Sequence, residues 1–364
     1  MSAACASEPL RIALSGCGHA GMNHGQEIVK CPAWRLVAVC DVMAESAAAA
    51  AARFGGVPAY TDYQKMLDTE KLDAVAIITP GHVHVPQIVA AAKRGVHAFS
   101  EKPLGITVRE CQRAVAACRK AGVLLGVTYT YHFVSDFRRM RQIVDAGEIG
   151  AVREVRWFTL GGVPQEPKPT PPPPVPANRI LGKIPHLFDC GVHAFDLMCW
   201  FAGAPVVSIK AQALAAGPGW EPSAVTIVFM YAGGQRGTYE LGPMTAIAGC
   251  DQGQPAIGFH VIGTRGTLAW DFRDGWRTPR EQTRIYIHTP AGSRVESLPV
   301  YSKCRDVQYA EFAQAVRDGK LPPHWPTPEQ AVEATRMGVE AVAAVKRGTV
   351  YLTEFGKACG CEAR

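Results

Sequence analysis

The sequence predicts an α/β fold in two domains, a doubly wound parallel sheet followed by an α+β domain with a mostly antiparallel open sheet. Up to about residue 130, six short apolar runs alternate with helical segments, which is typical of parallel strands joined by crossover helices. Beyond that point, predicted strands follow one another with few helices between them. The predicted domains are therefore residues 1–130 and 131–364.

The first domain begins with a strand, a glycine turn and a helix. The apolar run from Arg11 to Leu14 leads into a turn that contains Gly16, Gly18 and Gly21. In a Rossmann dinucleotide-binding motif, three such glycines allow the tight turn, the close approach of a pyrophosphate and the packing of the helix on the strand. The helix then directs unpaired N–H groups and its positive dipole end towards the phosphates.

An acidic residue completes this motif. The second apolar run, Leu36 to Cys40, ends at Asp41, twenty residues after Gly21. A carboxylate in this position accepts hydrogen bonds from ribose hydroxyls and repels a 2′-phosphate. Because no basic residue follows directly, the sequence favours NAD, with NADP the less favoured cofactor. A glycine triplet alone is a weak signal, but the strand, the spacing and the acid together predict dinucleotide binding.

Two later strands of this domain also end in residues that can carry chemistry. The run from Ala74 to Ile78 is followed by Thr79 and Pro80, and the run from Val96 to Phe99 is followed closely by Lys102. Ligands bind at the carboxyl ends of parallel strands in this type of sheet. We therefore expect Lys102 near the nicotinamide, where an ammonium group can stabilise a developing alkoxide.

The second domain contains predicted hairpins, and two helices close the chain. The paired strands are predicted at 226–231 with 237–241 and at 259–263 with 267–271, and further strands are predicted at 284–289 and 294–298. The closing helices are predicted at 306–318 and 328–346. The proline-rich loop 161–183 cannot be a helix or a central strand, and it is either a polyproline connector or a lid or dimer arm over the active site.

Composition narrows the possible function classes. The formal net charge is +6 over 364 residues, and Lys and Arg are scattered along the sequence. The sequence therefore shows no basic cluster of the kind that binds nucleic acid. No stretch approaches the length of a membrane span. The twelve cysteines include no Cys-x-x-Cys pair, which favours reduced thiols in a cytoplasmic protein. Cys359 and Cys361 could bind a soft metal or form a disulfide, although a frayed terminus is the simpler interpretation.

A predicted helix from about His186 to Phe201 is almost wholly apolar, with four polar exceptions on one stripe: His186, Asp189, His193 and Asp196. Three readings compete. The polar groups could form a satisfied core network, or two histidines and one carboxylate could bind a metal. In the third reading, His193 takes a proton from a substrate beside the nicotinamide and Asp189 orients its ring. The dinucleotide motif upstream favours this third reading, and no metal is expected.

Taken together, these motifs resemble those of the Gfo/Idh/MocA oxidoreductases, which include inositol dehydrogenases and glucose-fructose oxidoreductase. The resemblance extends over essentially the whole chain. The matching positions are Gly16, Cys17, Gly18, His19, Ala20, Gly21, Asp41, Thr79, Pro80, His84, Glu101, Lys102, Pro103, Asp189, Cys190, Gly191, Val192, His193 and Asp196.

The resemblance implies a role for most of these residues. Lys102, Asp189 and His193 are implied to act together on a sugar or polyol hydroxyl. The matching residues of the first domain are implied to bind the cofactor, namely Gly16, Gly18, His19, Ala20, Asp41, Thr79, Pro80, His84, Glu101 and Lys102.

The resemblance also implies a cis peptide bond before Pro103, and homodimers or homotetramers formed through the open face of the second sheet. Two positions depart from the family pattern. Gly81 stands where many members have asparagine, and His186 with the residues before it replaces a glycine-rich segment. Neither departure removes a proposed catalytic group.

The sequence therefore predicts an NAD-dependent dehydrogenase that transfers hydride between a sugar, polyol or sugar derivative and the nicotinamide. Further candidates for substrate contacts are Tyr131, His132, Lys183 and His186. Two alternatives stay open. The first is a redox-neutral NAD-dependent glycosidase or lyase of the same family. The second is a non-catalytic NAD-binding sensor.

Overall fold

The computed structural model describes residues 8–160, 186–215, 224–242, 256–272, 282–299 and 304–351. This part of the chain divides into two compact units. The first unit contains residues 8–133 and 304–335, and the second contains the described residues of 134–299 together with 336–351. None of the helices in these ranges is both long enough and apolar enough to cross a membrane.

The first unit contains the predicted doubly wound sheet. Six parallel strands lie in the order β3-β2-β1-β4-β5-β6. The strands are β1 (Leu10–Ser15), β2 (Trp34–Cys40), β3 (Ala59–Tyr60), β4 (Ala74–Ile77), β5 (His97–Ser100) and β6 (Leu125–Val127). The helices are α1 (His19–Lys30), α2 (Ala44–Arg53), α3 (Tyr63–Thr69), α4 (Gly81–Ala92) and α5 (Val108–Ala121), with a 3-10 turn at Thr130–Phe133. The strand order reverses between β1 and β4, which is where such sheets bind ligands.

The second unit is built on a mostly antiparallel sheet, as predicted. In the described residues its order is β14-β13-β12-β11-β7-β10-β9-β8-β15, with parallel pairs only at β7–β10 and β8–β15. The strands are β7 (Val152–Leu160), β8 (Val206–Ala215), β9 (Ala224–Tyr231), β10 (Arg236–Gly242), β11 (Ala256–Gly263), β12 (Thr267–Phe272), β13 (Gln282–Thr289), β14 (Gly292–Pro299) and β15 (Thr349–Tyr351). The two predicted hairpins are confirmed, and the two further predicted strands, β13 and β14, also pair with each other, whereas β8 and β15 were not predicted.

The helices of the second unit are α6 (Ser135–Asp145), α7 (His186–Asp189) and α8 (Gly191–Ala202). The prediction of a single helix from His186 to Phe201 is wrong, because the helix is interrupted at Cys190, between α7 and α8. Gly191, which follows the break, disfavours a continuous helix because it loses more backbone freedom than other residues. The predicted alignment on one helix face therefore applies to His193 and Asp196, which both lie in α8. It does not extend to His186 and Asp189, which lie before the interruption.

The helix α9 (Arg305–Asp318) belongs to the first unit, although the sequence analysis places it in the second domain. Its Tyr309 and Phe312 rings lie 4.8 Å and 5.2 Å from the ring of Phe99 on β5. The indole of Trp34 also donates a hydrogen bond to the carbonyl of Tyr309, at 2.8 Å. Burying aromatic side chains of this size contributes about 1.5–3 kcal/mol each, so these contacts hold α9 against the parallel sheet.

The helix α10 (Pro328–Gly348) begins in the same returning segment. Before it, Trp325 is 2% exposed and stacks on Phe312, with ring centroids 5.8 Å apart. Both predicted C-terminal helices are therefore present with nearly the predicted ends. Only the domain to which the returning segment belongs differs from the expectation.

A buried carboxylate attaches α6 to the sheet of the second unit. Asp136 is 2% exposed and accepts hydrogen bonds from Trp270 Nε1 at 2.9 Å and from Thr283 Oγ1 at 2.6 Å. Burial raises the pKa of this carboxyl group, while the two donors lower it. The packing energy of α6 thus depends on two buried polar contacts as well as on apolar area.

We expect Asp136→Ala to lower the free energy of unfolding by about 3 kcal/mol, because each donor left buried without an acceptor costs about 1–3 kcal/mol. Urea denaturation followed by tryptophan fluorescence measures this change. The matched control is Asp145→Ala on the same helix, where the carboxylate is exposed and pairs with Arg141. Equal losses in the two variants would show that the buried contacts do not matter.

Candidate active site

The glycine turn after β1 is shaped by backbone contacts. Gly16 has φ +94°, and a Cβ atom on it would lie 2.4 Å from the carbonyl oxygen of Ile78. A Cβ atom on Gly21 would lie 1.8 Å from the carbonyl oxygen of Gly16. Real Cβ atoms do not approach backbone this closely, so both positions require glycine. These two contacts bring the start of α1 directly over the carboxyl end of β1.

The third glycine faces open space. Nothing lies within 4 Å of a Cβ atom built on Gly18, and Gly18, His19 and Ala20 are all exposed. Gly18 is the N-cap of α1, and no side chain caps the helix there. The first N–H groups of α1 are therefore positioned to receive an anion. This arrangement fits the pyrophosphate of NAD, with Gly18, His19 and Ala20 as the residues that would hold it.

Asp41 lies beside this turn, directly after β2. Its Oδ2 accepts a hydrogen bond from the Cys17 N–H at 2.7 Å, and its Oδ1 accepts one from the Met43 N–H at 2.9 Å. Each carboxylate oxygen can accept further hydrogen bonds, so Asp41 fits a ribose diol as well as holding the turn. Burial raises the pKa of the neighbouring Cys17 thiol to about 12, so this thiol stays protonated at neutral pH.

The loop after β4 places its predicted residues in two different environments. Thr79 is half-buried and Pro80 is exposed at the N-terminus of α4, where a cofactor could contact them. His84, in contrast, is 1% exposed, with Nδ1 2.8 Å from the Pro103 carbonyl and Nε2 2.6 Å from the Thr79 carbonyl. Burial lowers the pKa of this ring. His84 therefore joins two loops internally, and its predicted contact with the cofactor stays a prediction.

The Glu101-Lys102-Pro103 segment follows β5 and contains the predicted cis bond, between Lys102 and Pro103. The Lys102 N–H donates to Glu101 Oε2 at 2.9 Å and lies 3.1 Å from Thr128 Oγ1. The other carboxylate oxygen of Glu101 faces His24 at 3.0 Å. These contacts show that Glu101 supports the backbone of the lysine loop, and its predicted contact with the cofactor stays a prediction.

The predicted polar residues of the second unit lie on either side of the helix break. Asp189 ends α7, and His193 is in the first turn of α8, where its N–H donates to the Cys190 carbonyl at 3.3 Å. Both side chains are half-buried, whereas Asp196, one turn further on, is 2% exposed. The break thus displays Asp189 and His193 at the start of a helix that is otherwise buried. Their joint action with Lys102 stays a prediction.

The four candidates for substrate contacts have different outcomes. Tyr131 is half-buried in the 3-10 turn. His132 is fully buried, with Nδ1 2.8 Å from the His324 carbonyl, and its predicted substrate contact stays a prediction. Lys183 and the proline-rich loop lie outside the described residues, as do Cys359 and Cys361. The backbone of His186 is part of α7, but its side chain is outside the description, so the metal reading is not tested.

Three residues near this site were not found from the sequence. Gln87 Oε1 accepts hydrogen bonds from Ser15 Oγ at 3.1 Å and Thr79 Oγ1 at 3.3 Å, which ties the ends of β1 and β4 together. Thr128 and His24 contact the lysine loop, as described above. Of these three residues, only His24 could have been recognised from the sequence, as a polar residue three positions after Gly21 on the buried face of α1.

Comparison with known proteins gives matches in both units. A family model described as an oxidoreductase family with an NAD-binding Rossmann fold, Gfo/Idh/MocA, matches residues 10–129. The model of the Gfo/Idh/MocA C-terminal domain matches residues 137–269. Together the two models cover most of the chain, with the NAD-binding model first and the C-terminal model second.

Individual relatives agree with these models. The scyllo-inositol 2-dehydrogenase (NAD(+)) of Bacillus subtilis is 28% identical, over 86% of this chain and 88% of its own length. The myo-inositol 2-dehydrogenase of Thermotoga maritima is 24% identical, over 86% and 90%. The structure of UDP-N-acetylglucosamine 3-dehydrogenase from Acidithiobacillus ferrooxidans is similar in fold, with a TM-score of 0.74 at 20% identity, over 93% of this chain and 98% of that one.

Proposed function

Because this chain belongs to the Gfo/Idh/MocA family of oxidoreductases, with an NAD-binding Rossmann fold, we propose that it is an NAD-dependent dehydrogenase of sugar or polyol hydroxyls. The observation that carries the proposal is the pairing, within one unit, of an open glycine turn with a lysine loop after β5. Both lie at the carboxyl edge of the same parallel sheet, where ligands bind in this fold. The inositol dehydrogenases among the relatives support a polyhydroxylated substrate.

We assign the chemical steps to three side chains. In the oxidative direction, His193 accepts the proton of the substrate hydroxyl, since an imidazole titrates near neutral pH. Lys102 stabilises the charge that develops on the same oxygen. Asp189 orients His193 and contacts a neighbouring hydroxyl. When bound, the nicotinamide supplies the acceptor for the hydride that leaves the carbon.

The cofactor preference follows from Asp41. Its carboxylate accepts two backbone N–H groups, which fix it beside the turn. A fixed negative charge at this position repels a 2′-phosphate and accepts the ribose hydroxyls of NAD. The NADP-dependent reaction is therefore expected to be the slower one.

A spectrophotometric screen tests the proposal. The purified protein is mixed with NAD and with a panel of inositols, aldoses, sugar acids and nucleotide sugars, and NADH absorbance is followed. We expect NADH formation with at least one polyol or sugar. Cleavage of a glycosidic bond without net NADH would indicate the redox-neutral alternative. NAD binding without any turnover would indicate a sensor, and either result would overturn the dehydrogenase assignment.

We also propose a cytoplasmic homo-oligomer. Buried, free thiols at Cys17, Cys40, Cys111 and Cys118 fit a reducing compartment. Met230 and Val295 leave apolar surface exposed on strands of the second sheet, which fits an association surface for a second copy. Sedimentation of the purified protein tests this proposal, and a monomer at micromolar concentration would contradict the association.

A further inference from the structure

A buried histidine on α1 lies behind the lysine loop. His24 is 1% exposed, and its two ring nitrogens face two different elements of the first unit. Nδ1 lies 2.9 Å from the hydroxyl of Tyr309 on α9, and Nε2 lies 3.0 Å from Glu101 Oε1 after β5. His24 thus bridges the returning C-terminal segment and the segment that carries Lys102.

The chain of contacts continues to the backbone of the lysine itself. Glu101 uses its second oxygen, Oε2, to accept the Lys102 N–H at 2.9 Å. A carboxylate whose two oxygens are both engaged has little rotational freedom, so the position of the Lys102 amide depends on the orientation of Glu101. That orientation in turn depends on His24 and on the group that holds its ring.

Three polar groups surround the ring of His24. Nε2 of His24 lies within hydrogen-bonding distance of two groups, the acceptor Glu101 Oε1 and the donor Arg305 Nε–H. Nδ1 lies 2.9 Å from the Tyr309 hydroxyl, and burial raises the pKa of this hydroxyl well above its ordinary value, so it keeps its hydrogen at neutral pH. Arg305 Nε also lies 3.0 Å from Nε2, which brings a positive charge towards the same carboxylate.

We propose that His24 and Tyr309 are positioning residues that set the place of Lys102 through Glu101. The proposal rests on the proposed function, in which Lys102 contacts the reacting oxygen. It adds that α9, nearly three hundred positions further along the chain, is required for the rate of reaction and not only for the stability of the fold. A displacement of about 1 Å in a catalytic group can cost about a hundredfold in rate, so the loss of this support has a measurable effect.

The first test is Tyr309→Phe, which removes one hydroxyl group and keeps the ring that packs on Phe99. We expect kcat to fall about tenfold, which corresponds to about 1.4 kcal/mol of activation free energy, with the KM for NAD within about twofold. The matched control is Tyr60→Phe, which removes a hydroxyl that donates to Glu70 at 2.8 Å elsewhere in the first unit. The control is expected to lose similar stability and to keep the wild-type kcat.

A second pair of variants tests the ring. His24→Leu removes both contacts, whereas His24→Gln keeps an amide group that can donate to Glu101. We expect His24→Leu to lose more rate than Tyr309→Phe, and His24→Gln to recover part of the loss. If both His24 variants lose rate only in proportion to a fall in thermal stability, the residue is structural and the proposal fails.

Hydrogen exchange supplies a readout that needs no turnover. The Lys102 N–H donates to Glu101 Oε2, while the Glu101 N–H donates to the Ile77 carbonyl at 2.9 Å and serves as the internal reference. In Tyr309→Phe we expect the Lys102 amide to exchange about tenfold faster, with the Glu101 amide unchanged. Unchanged exchange at Lys102, or faster exchange with a wild-type kcat, would overturn the proposal. A wild-type protein that forms no NADH would instead contradict the proposed function, and the exchange result would still decide whether the contact chain holds Lys102.

Discussion

Lys102→Met is expected to lower kcat by about a thousandfold while leaving NAD affinity within a few-fold. Methionine keeps the length and apolar stem of the side chain and removes only the ammonium group. The loop itself should keep its conformation, because the Lys102 backbone N–H, which the substitution leaves in place, makes bonds to Glu101 and Thr128. The loss therefore reports the stabilisation of the reacting oxygen and not a change in the fold.

The assay for this variant uses the substrate found in the screen, with NAD affinity measured separately by calorimetry. Lys120→Met is the control, since Lys120 is an exposed residue near the end of α5 in the same unit. We expect the control to behave as the wild-type protein in both measurements. A Lys102→Met protein with normal turnover would refute the role of this lysine, and one that no longer binds NAD would indicate a cofactor contact instead.

Adding one methyl group at Gly18 or at Gly21 is expected to separate NAD binding from folding. At Gly18 the backbone has φ −71°, which any residue adopts, and the added Cβ atom meets nothing within 4 Å. Gly18→Ala should therefore fold normally and lose NAD affinity by at least about tenfold, because the methyl group enters the space that a pyrophosphate needs. At Gly21 the same methyl group would lie 1.8 Å from a backbone oxygen.

Gly21→Ala must therefore shift the turn, and overpacking of this kind costs about 1–3 kcal/mol. The melting temperature in the absence of cofactor measures this cost, and titration with NAD measures the affinity of both variants. We expect a lower melting temperature for Gly21→Ala alone and weaker NAD binding for both. If Gly18→Ala bound NAD as tightly as the wild-type protein, the cofactor would not pass over this turn. The assignment of the glycine turn as the pyrophosphate site would then be wrong.

Local patterns predicted the parts of this protein that form from neighbouring residues. The strand, glycine turn and helix of the first unit were predicted because each step depends on residues within one short stretch, and Asp41 was found because its spacing from the turn is regular in this fold. The antiparallel hairpins were predicted for the same reason, since each turn joins its two strands directly. The position of Lys102 after β5 also follows from local order.

The surroundings of individual side chains could not be predicted from local patterns. His84, His132 and Glu101 carry motif-like positions in the sequence, yet the structure places the two histidines in the core and turns the glutamate towards His24. The helix break at Cys190 was missed because an apolar run reads as one helix until packing decides where it ends. Burial and partners of these residues are set by other elements, which the motif itself does not contain.

The amino-acid sequence by itself therefore determined the parallel sheet, the nucleotide turn and the identity of the candidate catalytic side chains. Only the tertiary structure decided that α9 returns to the first unit and that Tyr309 holds His24, a contact between residues 285 positions apart. The physical reason is that the apolar face of a helix looks the same in the sequence whichever sheet buries it. Its partner is chosen by the packing of whole side chains, and here that choice connects the end of the chain to the lysine loop.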